Sequence, residues 1–179
     1  MDHGTVIWIT GLPSAGKTTL ARGVHGALRR RGERVLWLDS DDLREVLTPE
    51  PTYTPEERDR VYRTLGRIAA RAAEDGIDVL VSATAPRRHH RRDARRGAPA
   101  FVEVWLRCGE PELRRRDHRG LYAAHDRGEI RDLPGQDAPY EEPLEPELVL
   151  DSEQLAPQEM VDRALRWLDA RSEAAARAS

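Results

Sequence analysis

Gly11-Leu-Pro-Ser-Ala-Gly16-Lys17-Thr18 decides how the rest of this chain is read. It is a full match to the pattern G-x-x-x-x-G-K-[ST], a loop whose backbone amides wrap phosphate groups. Context supports the match. The apolar run Val6-Ile-Trp-Ile9 precedes the loop, and a helical pattern from Thr18 to about Arg31, stopping near Gly32, follows it. Lys17 is also the only lysine among the 29 Lys and Arg residues. Arginine serves wherever else the chain needs a cation. A compact ammonium on a flexible stem reaches between β- and γ-phosphates in a way a planar guanidinium does not.

Working outward, four more strand-length apolar runs appear: Val35-Leu-Trp-Leu38, Val79-Leu-Val81, Phe101-Val-Glu-Val-Trp-Leu106 and Leu148-Val-Leu150. Near-continuous apolar runs of this length read as buried parallel strands. Helical segments separate them. Thr54-Pro55-Glu56-Glu57 reads as a helix start, with Thr54 capping and Glu57 at the capping-box position. Val61, Leu65, Ile68, Ala69 and Ala72 then mark one face of that helix, and Met160, Val161, Ala164, Leu165 and Leu168 mark another near the C-terminus. Strands alternating with helices predict an α/β fold of the P-loop NTPase type, a three-layer sandwich around a five-stranded parallel sheet, in one domain over residues 1–179. Residues 117–146, rich in Pro, Gly and charge, predict a mobile lid over the site.

The carboxylates follow the second strand, in Leu38-Asp39-Ser40-Asp41-Asp42-Leu43-Arg44. Ligands of such sheets gather at the carboxyl ends of the strands. A carboxylate there can accept the proton of an attacking hydroxyl or hold Mg²⁺, and Asp41 or Asp42 also suits the cap of the next helix. The third strand ends in Ser82 rather than an acid, which leaves Asp39 or Asp41 as the carboxylate beside the magnesium. Thr18 supplies a hydroxyl ligand, and Arg44 can grip an anion bidentately.

Composition excludes several classes. Net charge is −3, and the arginine-rich run from Arg87 to Arg96 is interrupted by Asp93 and has no interleaved aromatics, so it reads as a solvated helix and not as a nucleic-acid surface. Within it, His89 and His90 are adjacent and are expected to point apart, which argues against metal binding there. One cysteine, Cys108, rules out an internal disulfide and fits a reducing cytoplasm. No apolar run approaches the ~20 residues of a membrane span. The N-terminus shows no secretion signal.

Further stretches recur in a familiar order: Tyr53-Thr-Pro-Glu-Glu-Arg58, Asp117-His-Arg-Gly-Leu-Tyr122, Arg127-Gly-Glu-Ile130, Asp137-Ala-Pro-Tyr-Glu141 and Pro146-Glu-Leu-Val-Leu-Asp151. With the phosphate loop and the acidic run, the chain resembles the adenylylsulfate (APS) kinases, which phosphorylate the 3′-hydroxyl of APS with MgATP. The resemblance implies an ATP site at Gly11, Ser14, Ala15, Gly16, Lys17, Thr18 and Thr19, with Arg116 near the ATP side of the lid. It implies catalytic roles for Lys17, Asp41 and Asp39, with Asp41 the better base, and Mg²⁺ held by Thr18 and Asp41. Arg44 and Arg58 match arginines that hold the acceptor's charged groups, and Tyr53 matches an aromatic that stacks on adenine. The acceptor side departs from the family pattern. Val61 replaces an asparagine, Ala85 a serine and Leu133 a second stacking aromatic, while Ser40 replaces a glycine. The expected protein is therefore a small-molecule kinase acting on APS, with a homodimer as its expected assembly. Alternatives are a relative acting on another nucleoside, sugar or specialised metabolite, and a nucleotide-binding regulatory module.

Overall fold

The computed structural model describes residues 3–178. Five strands, β1 (Val6–Thr10), β2 (Val35–Asp39), β3 (Asp78–Ser82), β4 (Phe101–Arg107) and β5 (Leu148–Asp151), form one sheet in the order β2-β3-β1-β4-β5. Every pairing is parallel. Each of the five apolar runs is a strand, extended by a residue or two at one or both ends.

The helices that matter for the site are α1 (Lys17–Arg30), α2 (Ser40–Leu47), α3 (Pro55–Glu74) and α4 (Arg88–Gly97). They are joined by α5 (Glu110–Arg115), α6 (Leu121–Asp126) and α7 (Pro157–Ala178). The sheet separates two apolar clusters. One joins Ile7, Ile9, Leu80 and Val104 to Leu20 and Val24 of α1 and Met160 and Val161 of α7. The other joins Val6, Trp8, Val79 and Val81 to Val61, Tyr62, Leu65 and Ala69 of α3 and Ala94 of α4. Successive strand residues face opposite sides, so the alternation within β1 feeds both clusters and makes three layers.

Local signals explain the helix ends. Thr54 Oγ1 accepts from the Glu57 amide at 3.3 Å, and Pro55 occupies the first turn. The inward face of α3 differs slightly from the periodic reading: Ile68 is exposed, and Tyr62 is buried in its stead.

β1 is flanked by β3 and β4, so the chain leaves it towards β2 on one side and later crosses to β4 on the other. A crevice opens at the carboxyl end of such a strand, and here the phosphate loop begins. The β2–β3 register pairs Asp39 with Ser82 and so brings both side chains to that same edge.

The 117–146 segment is pinned at many points. The Tyr122 hydroxyl donates to the Pro13 carbonyl at 3.1 Å, and Arg58 Nη2 donates to the Asp132 carbonyl at 2.6 Å. The Glu141 amide donates to the Pro86 carbonyl at 2.8 Å. Leu133 and Tyr122 are buried in the α1 side of the core. The segment expected as a mobile lid is thus closed down on the phosphate loop and α3.

Candidate active site

The loop from Gly11 to Thr18 takes its shape from two residues in the left-handed region, Ser14 (φ 66°) and Gly16 (φ 95°). Gly11 has a different reason. A Cβ there would lie 2.7 Å from the Leu106 carbonyl oxygen, so the loop can leave β1 against β4 only as glycine. Ala15 is fully buried and anchors the loop. No side chain caps the first turn of α1, which leaves its amides free to meet an anion. Thr18 and Thr19 stand exposed at that turn.

Lys17 Nζ donates to the Gly11 carbonyl at 3.0 Å and the Leu12 carbonyl at 2.8 Å. Burial pushes its pKa down to about 8, against the opposing pull of the Asp41 and Asp39 charges. The ammonium thus sits between the loop backbone and two carboxylates, where a polyphosphate is the complementary ligand.

Asp39 is fully engaged. Its Oδ1 accepts from the Asp41 amide at 2.9 Å, which makes Asp39 the N-cap of α2. That is the cap the sequence suggested for Asp41 or Asp42. Asp39 Oδ2 accepts from Thr18 Oγ1 at 2.9 Å and from Ser82 Oγ at 2.7 Å. Ser82 is fixed in turn by the Trp37 indole, 2.9 Å away. Asp41 is different: its side chain is 56% exposed, and among the described residues its carboxylate is paired only with Arg119. Thr18, Asp39 and Asp41 offer oxygen alone, a donor set that suits a hard cation such as Mg²⁺ and not a soft one.

A second group lies across α2 and α3. Arg44 is buried and donates through Nη1 to Glu57 Oε1 at 2.9 Å, while its buried Nη2 has no partner among the described residues. The Arg44 guanidinium lies 5.3 Å from the Tyr53 ring centre, and that of Arg58 lies 5.5 Å from it. Tyr53 is held at φ 55°. Glu57 maintains this geometry. Burial raises its pKa, but the amide and hydroxyl of Thr52, the Tyr53 amide and Arg44 outweigh that and hold it below the usual range. A buried guanidinium with a free N–H, a second guanidinium and an exposed phenol ring make a set for an anion attached to an aromatic.

Three residues expected at the acceptor are buried. Val61 and Ala85 are buried in the α3-side cluster, and Leu133 is buried in the α1-side cluster. None of the three presents its side chain to an open pocket in this arrangement. Arg116 is tied to Glu112 at 2.5 Å and to the Ser152 carbonyl at 2.8 Å. The adjacent Asp117 accepts from the amides of Leu121 and Tyr122 at 2.9 and 2.8 Å, and so starts α6.

Sequence reasoning missed Arg119, whose partner Asp41 is 78 residues away. It also missed Arg91, which appeared only as part of a solvated run. Arg91 is buried and donates to Glu103 at 2.6 Å, to the Ala85 carbonyl at 2.5 Å and to the Glu141 carbonyl at 2.6 Å. It therefore fastens the β3–α4 loop and the end of the 117–146 segment together. No spacing rule signals either pairing.

The chain matches the family model of adenylylsulphate kinase over residues 3–151. An adenylyl-sulfate kinase from Paraburkholderia xenovorans is 39% identical over 167 residues, covering 93% of each chain. A probable adenylyl-sulfate kinase from Archaeoglobus fulgidus is 43% identical over 148 residues, covering 83% of this chain and 96% of its own. Among solved structures, the APS kinase of Mycobacterium tuberculosis in complex with AMPPNP and APS superposes with a TM-score of 0.89 at 32% identity, covering 94% of this chain and 99% of that one.

Proposed function

The chain belongs to the adenylylsulphate kinase family, and on that premise we propose that it transfers the γ-phosphoryl group of ATP to the 3′-hydroxyl of adenylyl sulfate. One observation supports this reading above the others. At a single sheet edge, the phosphate loop with its lone lysine meets one carboxylate spent on structure, Asp39, and one, Asp41, held among the described residues only by an exposed ion pair with Arg119.

The loop from Gly11 to Thr19, including Ser14, Ala15 and Gly16, cradles the phosphates of ATP. Lys17 exchanges its two carbonyl partners for phosphate oxygens and neutralises the charge that develops during transfer. Thr18 and Asp41, backed by Asp39, would hold Mg²⁺, which supplies charge neutralisation at the phosphates. Arg116 braces the nucleotide side of the lid through the Ser152 carbonyl.

In the acceptor half, Asp41 takes the proton of the acceptor hydroxyl once Arg119 releases it. Arg44 turns its free Nη2, and Arg58 its guanidinium, to the acceptor's charged groups, and Tyr53 stacks on the base. Val61, Ala85 and Leu133 complete the acceptor side in this reading, although their side chains are buried in this arrangement and must be uncovered to meet it. The closed 117–146 segment excludes water, so that phosphoryl transfer to solvent is suppressed.

The test is ATP consumption by purified protein with Mg²⁺ and a panel of APS, nucleosides, nucleotides and sugars. ADP formation should depend on APS and be matched by a 3′-phosphorylated product. Turnover with another acceptor and none with APS would overturn the reading. Slow hydrolysis that ignores every acceptor would identify a nucleotide switch instead.

A further inference from the structure

His89 and His90 do not point apart. Both lie in the first turn of α4, and both Nε2 atoms converge on one atom of α3, Asp59 Oδ1, at 2.9 and 2.8 Å. The two rings meet edge to face with centres 4.4 Å apart. The three potential ligand atoms all lie within 4.8 Å of one another. It is the only such group of three or more His, Cys, Asp or Glu residues among the described residues.

We propose that Asp59, His89 and His90 form a binding site for a divalent transition metal of the zinc type, separate from the phosphate-transfer centre. Two imidazoles and one carboxylate are the donor set that borderline divalent metals take in preference to Mg²⁺. The two nitrogen–oxygen contacts, 2.9 and 2.8 Å, must lengthen for all three atoms to stand about 2.0–2.2 Å from a common ion. His90 is buried against Tyr62, with ring centres 4.6 Å apart, and is therefore already oriented. A neutral imidazole keeps one lone pair for a metal.

The other two groups are partly exposed and border a groove of about 410 Å³ between α3 and α4, which gives water access to the remaining coordination positions. Arg63 and Arg67 line the same groove and temper the affinity, whereas Asp93 favours it. Metal on His90 Nε2 moves the ring hydrogen to Nδ1. That sacrifices the long 3.3 Å contact from the Arg87 amide and releases no proton from the neutral ring. The bound ion would clamp the start of α4 to α3 one residue away from Arg58.

The test is calorimetric titration of the full chain with Zn²⁺ under excess Mg²⁺, which competes for the all-oxygen site, together with the visible absorption of added Co²⁺. Wild type should bind one equivalent and give nitrogen-ligand Co²⁺ bands. Asp59→Asn and His89→Ala alter exposed groups and should leave the circular dichroism unchanged. Each should weaken binding at least as much as loss of an outer-shell partner does, roughly 10- to 100-fold. Absence of binding in wild type would overturn the proposal. Equal binding by both variants would also overturn it, leaving Asp59 as a hydrogen-bond acceptor for two rings.

Discussion

The Thr18 hydroxyl donates to Asp39 Oδ2 at 2.9 Å, across the gap between α1 and the end of β2. With Ser82 on the same oxygen and the Asp41 amide on the other, Asp39 has little capacity left for proton transfer. The two carboxylates should therefore separate cleanly under mutation. Asp39→Asn leaves two hydroxyl donors facing an amide and should cost about 1–3 kcal/mol of stability. Asp41→Asn should leave stability within about 0.5 kcal/mol, since its side chain is largely exposed. It should lower kcat by roughly 10²–10⁴-fold. Denaturant unfolding and steady-state rates on both variants check this, and the reverse pattern would reassign the base.

Lys17→Arg should retain the fold and lose at least roughly 10²-fold in kcat, the scale of removing one preorganised charge contact. The Gly11 and Leu12 carbonyls hold a compact ammonium at 3.0 and 2.8 Å, and a fork of five donors cannot replace it there. Near-normal turnover by the variant would show that position 17 needs only positive charge.

Arg58 links the acceptor residues to the 117–146 segment. Its Nε donates to the Tyr53 carbonyl at 2.9 Å while its Nη2 holds Asp132. Arg58→Lys cannot serve both carbonyls and a ligand anion together. We expect KM for APS to rise by roughly 10-fold or more, the worth of one charged hydrogen bond, with a smaller change in KM for ATP. Equal changes in the two constants would mean that Arg58 acts only on the lid.

Gly135→Ala should impair closure of the segment. Gly135 sits at φ +88°, and an added Cβ would lie 2.5 Å from Leu12 Cδ2 in the phosphate loop. The backbone strain alone is about 1–3 kcal/mol. A lower melting temperature and a higher KM for ATP are expected. An unchanged KM would show that the segment and the phosphate loop are independent.

Asp137 gives a pH-dependent signature. Burial raises its pKa, but hydrogen bonds from the Asp132 and Leu133 amides, at 2.9 and 2.8 Å, outweigh that and hold it below 3.8. A carboxylate depressed in the folded state stabilises above its unfolded pKa, and that stabilisation is lost as pH falls through the lower folded value. Asp137→Asn should remove part of the stability at neutral pH and flatten its decline below about pH 4. Parallel acid-unfolding curves for variant and wild type would contradict this.

The fold was legible because its signals are local. The phosphate loop, five apolar runs and the Thr54 cap each occupy a handful of consecutive residues, and each became the predicted element. The site was legible where position along a strand determines placement, as with Lys17, Thr18 and the acidic run after β2. It was not legible where partners come from distant segments. Asp39 bonds Ser82 because the β2–β3 register sets the two side by side, and Arg91, within its arginine run, bonds carbonyls on two separate loops. Val61, Ala85 and Leu133 are buried, as apolar side chains follow the nearest core.

The lone lysine, lodged between two carbonyls with its pKa lowered to about 8, has a practical consequence for chemical biology. Acylating reagents react with unprotonated amines, and apart from the chain's terminal amine this sequence offers one side-chain target, with a larger unprotonated fraction near neutral pH than an ordinary lysine. Labelling at that position, and its protection by added nucleotide, would count occupied sites directly on unaltered protein without any engineered reporter.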